Sequence, residues 1–119
     1  MAERLIESKS YEFAVKVVNE VRKLRSESRE YELINQLVRS GTSIGANVSE
    51  ATYAQSDKDF HMKHRIALKE ANETRYWLRL FGDTGIMDTD TAGGMISDVD
   101  ELIKIIASII RTTQTKLNQ

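Results

Sequence analysis

The stretch Ile34–Ala51, INQLVRSGTSIGANVSEA, decides the fold. Residue by residue it reads as a loop, because Gly41, Thr42, Ser43, Gly45, Asn47 and Ser49 are mediocre or poor helix formers. By spacing it reads as a helix. Ile34, Leu37, Gly41, Ile44, Val48 and Ala51 recur at steps of three, four, three, four and three, straight through both glycines. A loop has no reason to hold that phase, and one face of a helix requires it. The spacing predicts a helix over about residues 29–54. Its small residues then gain a purpose, since a stripe without bulky side chains lets a neighbouring backbone come close. The segment GTSIGANVS (41–49) has the glycine and hydroxyl content of a phosphate-cradling loop, but it lacks the Gly-Lys-Ser/Thr ending and follows no strand.

Working outward, Ala14, Val17, Val18, Val21 and Leu24 repeat at helical steps and predict a first helix over about 10–25, capped by Ser8 or Ser10. Ser28 is placed to cap the second helix. A third helix is expected over about 57–81, opened by Ser56 with Asp59 three residues on and closed by Gly82 as its C′ residue. Residues 83–90, DTGIMDTD, form the longest turn. The fourth helix, about 91–116, starts somewhere between Asp88 and Met95.

The fourth helix is unusually apolar. Met95, Val99, Leu102, Ile106 and Ile109 form one seam, and Ile96, Ile103, Ile110 and Leu117 form a second beside it. At ~100° per residue, and with Ile105, the seams cover roughly 180°, whereas a surface helix needs about 100°. The excess serves either a deep intramolecular core or a contact between subunits, and in so small a chain the spacing favours the subunit contact. Four amphipathic helices with short connections predict an all-α, antiparallel up-down four-helix bundle over residues 1–119 that assembles as a homo-oligomer.

Composition excludes several function classes. The 119 residues contain no cysteine and no proline, so disulfide and thiol chemistry are out and no helix is kinked by proline. No apolar run reaches membrane-spanning length, and MAERLIESKS lacks a signal-peptide core, which predicts a cytoplasmic protein with no membrane partner. The net charge of −1 argues against a dedicated phosphate-backbone binder. Residues 1–59 carry 9 basic and 10 acidic groups and residues 60–119 carry 8 of each, so neither half is a charged tail.

Bundle proteins can hold two metals with Glu and Glu-x-x-His pairs. The two histidines here, His61 and His64, lack a Glu at that spacing, and in a polar helix start they are expected to be solvated. No nucleophile–base set stands out, and no metal, cofactor or small-molecule substrate is predicted. Glu70 is the exception to a bland reading. It falls inside an apolar arc of Ile66, Ala67, Ala71, Thr74, Trp77 and Phe81, where an ionised carboxylate needs a partner. A hairpin turning near residues 55–56 sets Arg39 opposite Asn72, within a turn of Glu70 and Glu73. It also sets Glu50 near His61 and Asn47 near His64. Arg39, Ser43, Asn47 and Glu50 share one helix face, which predicts a polar ladder centred on Arg39 with Glu70 or Glu73.

At these residues the chain resembles a known family. Residues 34–51, followed by SDKDFHMKHRIALKEANETRYWLRLFGDTGIMD (56–88) and preceded by SKSYEFAVKVV (8–18), look like the four-helix-bundle proteins encoded in intervening sequences of bacterial 23S ribosomal RNA genes, often labelled ribosomal-protein-like. The most specific element is Arg39-x-x-x-Ser43-Ile44-x-x-Asn47-x-x-Glu50, accompanied by Ser56, Phe60, Ala67, Glu70, Glu73 and Trp77. The resemblance implies a homopentamer arranged around a central channel. It implies a non-enzymatic structural or interaction module associated with ribosomal RNA or a ribonucleoprotein. A related branch, the accessory variability protein of diversity-generating retroelements, implies an alternative, a basic pentamer binding nucleic acid. Arg22, Lys23, Arg25 and Arg29 are the candidate nucleic-acid contacts, although Glu20, Glu27, Glu30 and Glu32 surround them. Ala54 and Gln55 stand where family members often carry Gly and Arg.

Overall fold

Apolar spacing sets where the helices run, and local breakers set less than expected. A computed structural model describes residues 1–119. It contains four helices, α1 (Ala2–Glu27), α2 (Tyr31–Thr52), α3 (Asp57–Thr84) and α4 (Thr89–Leu117), and no strand. The deciding stretch is helical throughout. Its glycines lie where α1 passes. A Cβ at Gly41 would sit 2.9 Å from both γ-carbons of Val17, and one at Gly45 would sit 3.1 Å from the Ser10 carbonyl oxygen.

Four boundaries differ from the sequence reading. The first helix begins at Ala2 rather than Ser10, because Ile6, Ser10 and Phe13 extend the buried face of Val17, Val21 and Leu24 by two further turns. Ser8 and Ser10 are therefore interior residues whose hydroxyls donate to the carbonyls of Leu5 (3.2 Å) and Glu7 (3.3 Å). Ser28 ends α1 instead of capping α2, its N–H donating to the Leu24 carbonyl at 2.8 Å. Its hydroxyl oxygen accepts from the Glu30 N–H at 3.2 Å, and Glu30 is the residue that precedes α2.

Ser56 does cap α3, accepting from the Asp59 N–H at 3.0 Å. Gly82 does not end it. The helix continues to Thr84 and closes on Gly85, whose φ of 78° is the left-handed turn that suits glycine. Gly82 is small for a different reason, as a Cβ there would meet the Ala92 methyl at 3.0 Å. The expected long turn shrinks to residues 85–88, with Met87 buried beneath it. The Asp88 carboxylate accepts from the Thr91 N–H at 3.2 Å and starts α4 at Thr89, ahead of the glycine pair at 93–94.

The core is one cluster drawn from all four helices, including Ile6, Phe13, Ile34, Ile44, Leu78, Phe81, Leu102 and Ile106. Each helix packs on its two neighbours in the order α1, α2, α3, α4 and back to α1, and the backbones of the diagonal pairs, α1 with α3 and α2 with α4, do not approach each other closely. The result is a rod of 51 × 21 × 21 Å. On α4 the first seam is buried, while Ile96, Ile103 and Ile110 are half-buried against the core and Leu117 is 37% exposed. No helix is long and apolar enough to cross a membrane.

Candidate functional site

The polar residues singled out in the sequence meet on the seam between α2 and α3. Arg39 projects from α2 toward one turn of α3. Its guanidinium donates to both carboxylate oxygens of Glu70 at 3.4 Å and to Glu73. The Trp77 indole N–H donates to Glu73 at 3.0 Å. The Arg39 Nε donates to Gln36 at 3.4 Å. Both carboxylates are thus engaged, with the Glu70 side chain 15% exposed and Arg39 48%. The Trp77 bond, and after it Arg39, holds the Glu73 carboxyl below the usual carboxylate range against the opposing effect of burial. The Glu73 bond holds the Arg39 guanidinium above its ordinary value.

Along the rest of α2 the ladder is local. The Ser43 hydroxyl donates to the Arg39 carbonyl, and the Asn47 amide donates to the Ser43 carbonyl at 2.8 Å. Glu50 accepts from Lys63 at 2.8 Å and raises that ammonium above its ordinary value. The expected approaches of Glu50 to His61 and of Asn47 to His64 do not occur, because both histidines turn away from α2 into the core. Deeper in the α2–α3 seam the Thr74 hydroxyl donates to Ser40 Oγ at 2.9 Å, both residues being fully buried. A cluster this closed, with every carboxylate hydrogen-bonded, is a clamp between helices.

The histidines are buried, 5% exposed for His61 and 1% for His64, and are not solvated. The linear context misleads because their immediate neighbours are polar, whereas the positions themselves are in phase with Ala67, Ala71, Thr74, Leu78 and Phe81. His61 hydrogen-bonds Thr113 on α4 through Nδ1. His64 Nδ1–H donates to the Phe60 carbonyl at 3.0 Å, and its ring lies 4.5 Å from that of Phe60. Burial holds the His64 imidazole below the ordinary 6.5, opposed by the Phe60 carbonyl and Glu3. Protons therefore favour the unfolded chain. Stability is complete above pH 6.5 and falls as the pH drops through that value toward the lowered folded one. The thermal midpoint is expected to fall between about pH 7 and pH 5, and to do so less in His64→Met. A wild-type midpoint that is flat over that range would contradict this reading. The Glu73 contribution is lost only below its ordinary 4.5, so the two windows separate.

Exposed apolar surface lies mainly on α1 and α2. Leu5 (44%), Tyr11 (70%), Val15 (44%) and Tyr31 (51%) are there, and Tyr53 (83%) follows directly on α2. Between the two helices runs a groove of about 420 Å³ lined by small residues, Ala14, Thr42, Gly45, Ala46 and Ser49, with Tyr11 and Tyr53 at its rim. Its one carboxylate, Glu7, accepts a hydrogen bond from Thr52.

The candidate cations Arg22, Lys23, Arg25 and Arg29 are exposed at the α1–α2 turn, where Arg25 donates to Asn35 at 2.7 Å. Folding creates a second cationic group that the sequence reading missed. Arg65, Lys69 and Arg79 on α3 and Lys104 and Arg111 on α4 are exposed and take part in no ion pair. The available signal was the four-three-four-three spacing of 65, 69, 72, 76 and 79, with no acidic residue on that stripe.

Known proteins share this arrangement of helices. The chain is similar to a crystal structure of a protein of unknown function from the S23 ribosomal protein family of Bacteroides thetaiotaomicron, with 45% identity and a TM-score of 0.90 over 93% of this chain and 99% of that one. No curated protein matches the chain. A family model described as 23S rRNA-intervening sequence protein matches residues 3–108. With four packed helices, the α2–α3 clamp and a match over nearly its whole length, the chain belongs to the 23S rRNA-intervening sequence protein family.

Proposed function

We propose that this chain is a non-catalytic structural subunit, an up-down bundle that joins copies of itself in a homopentamer and serves as an interaction module for RNA or a ribonucleoprotein. Side-chain pairs support the topology. Glu7 meets Thr52 and Arg25 meets Asn35 across α1 and α2. Arg39 meets Glu73 and Lys63 meets Glu50 across α2 and α3. Arg75 meets Asp100 and Asp57 meets Lys116 across α3 and α4. Lys16 meets Asp98 and Lys9 meets Glu101 across α1 and α4. In every case the numbers rise on one helix as they fall on the other.

The observation that carries self-association is the apolar α1–α2 groove. Ile96, Ile103 and Ile110 offer a partner only the edges that the core leaves uncovered, so the groove, flanked by Tyr11 and Tyr53, is the better contact for a second copy. Cyclic closure follows when the contact is head-to-tail, and the count of five rests on the family resemblance. The association with RNA rests on the family's description.

Native mass in solution tests assembly. The wild type is expected at five times the chain mass, and Ala46→Arg, at an exposed groove position, is expected to dissociate it while leaving helicity unchanged. A wild-type monomer at micromolar concentration would remove the proposal.

A further inference from the structure

We infer that the α3–α4 face is a docking surface for the phosphate backbone of RNA, formed by Arg65, Lys69, Arg79, Lys104 and Arg111 around the exposed ring of Tyr76. The inference rests on the proposed partnership with RNA and assigns it a surface.

The balanced net charge conceals a segregated one. From Phe60 to Gly82, α3 carries only two carboxylates, Glu70 and Glu73, and Arg39 holds both on the α2 side. From Leu102 to Gln119, α4 carries none. The other six acids of the second half are Asp83, Asp88 and Asp90 around the α3–α4 turn and Asp98, Asp100 and Glu101 on the third and fourth turns of α4, where Lys16, Arg75 and Lys9 hold them. The Arg75–Asp100 pair, at 2.7 Å, bridges the two helices and neutralises the one acid on the face between the cation rows. The five remaining cations are unpaired.

Geometry suits a strand of nucleic acid. Arg65, Lys69, Asn72, Tyr76 and Arg79 form one exposed stripe, about 21 Å long at ~1.5 Å per residue. That length spans several consecutive phosphates of an extended single strand. Lys104 and Arg111 stand two turns apart on the next helix. The Tyr76 ring is 59% exposed and rests edge-on against Trp77, 5.0 Å between centroids, a fixed platform for a base to stack upon. Guanidinium groups match phosphate oxygens in a planar fork. A protein partner would need an apolar anchor at the centre of its footprint, and on this face the isoleucines are mostly covered. The α1–α2 groove lies on the opposite side of the rod, so self-association there leaves these cations free. The turn cluster of Arg22, Lys23, Arg25 and Arg29 is weaker because four glutamates surround it.

The test is binding of a mixed-sequence single-stranded RNA of about 20 nucleotides across a salt series. Wild-type affinity is expected to fall with a log–log slope of about −3, at ~0.7 per phosphate contact for single strands. Arg65→Glu/Lys69→Glu/Arg111→Glu should bind at least about tenfold more weakly with a shallower slope. Tyr76→Ala should lose affinity with the slope unchanged, and Arg22→Glu/Lys23→Glu should bind as wild type. Native mass and thermal midpoint, measured on each variant, report folding; none of the replaced cations is within ion-pair distance of a carboxylate, and Lys69 acts on Glu73 only from farther away. Loss of binding in the Arg22/Lys23 variant with retention in the triple variant overturns the inference while leaving RNA as the partner. Absence of RNA binding by the wild type at low salt overturns both. Binding of phosphatidylglycerol vesicles in preference to RNA also overturns the inference.

Discussion

Gly41→Val lowers the unfolding free energy by about 3 kcal/mol, a large part of a small domain's margin. The reason is geometric. The first added carbon would lie 2.9 Å from both γ-carbons of Val17, well inside van der Waals contact. Val17 is 0% exposed and cannot swing outward. A β-branched side chain has few rotamers with which to yield. The helix-propensity gain from replacing glycine returns only a few tenths of a kcal/mol. Urea titration measures the loss, and Val17→Ala in the same chain should recover part of it by clearing the site. Gly93→Ala and Gly94→Ala supply the contrast. Nothing lies within 4 Å of a Cβ at either position, so propensity acts alone and each should stabilise by up to about 1 kcal/mol. A Gly41→Val chain as stable as wild type would mean that α1 and α2 do not approach as described.

Arg39→Met costs about 2 kcal/mol at pH 7, a value reduced from that of a fully buried pair because the guanidinium is half exposed. The variant leaves Glu70 and Glu73 side by side without their guanidinium, with only the more distant Lys69 acting on Glu73, and Glu70 is too covered for water to replace it. The sign with pH follows. Glu73, held low in the wild type, contributes stability above pH 4.5 that is lost as pH falls through its folded value. Without Arg39 that Glu73 contribution is smaller, so the gap between variant and wild type narrows toward pH 4. Glu70→Gln in the Arg39→Met chain should restore most of the stability. Glu70→Gln alone should weaken the clamp, and no change in stability or assembly would reduce it to surface decoration. Denaturant midpoints at pH 7 and pH 4 decide between these outcomes.

What the sequence revealed was governed by range. The phase of Ile34, Leu37, Gly41, Ile44, Val48 and Ala51 is a property of one helix and could be read through poor helix formers. Arg39 with Glu70 and Glu73 was readable because a tight hairpin relates their numbers. Gly82 misled because the demand on it comes from Ala92 on another helix, and a local termination rule cannot see that. The early start of α1 was hidden by Ser10, a hydroxyl at a core position that interrupts the apolar run from Ile6 to Phe13. His61 and His64 were misjudged by their neighbours when their phase placed them inside. The cationic face was missed because its residues divide between two helices, and counting charge by halves of the chain cancels them against acids at the turn and in the first half of α4.

The Ser40–Thr74 hydrogen bond has a consequence for alignment. Sliding α3 along α2 by a single turn would keep aliphatic groups against aliphatic groups, so packing alone discriminates poorly between the two arrangements. The slide would, however, break the buried hydroxyl–hydroxyl bond between the helices and leave each hydroxyl only a carbonyl of its own helix. Ser40→Ala/Thr74→Val should therefore keep the rod folded while broadening its amide resonances, as neighbouring registers become populated.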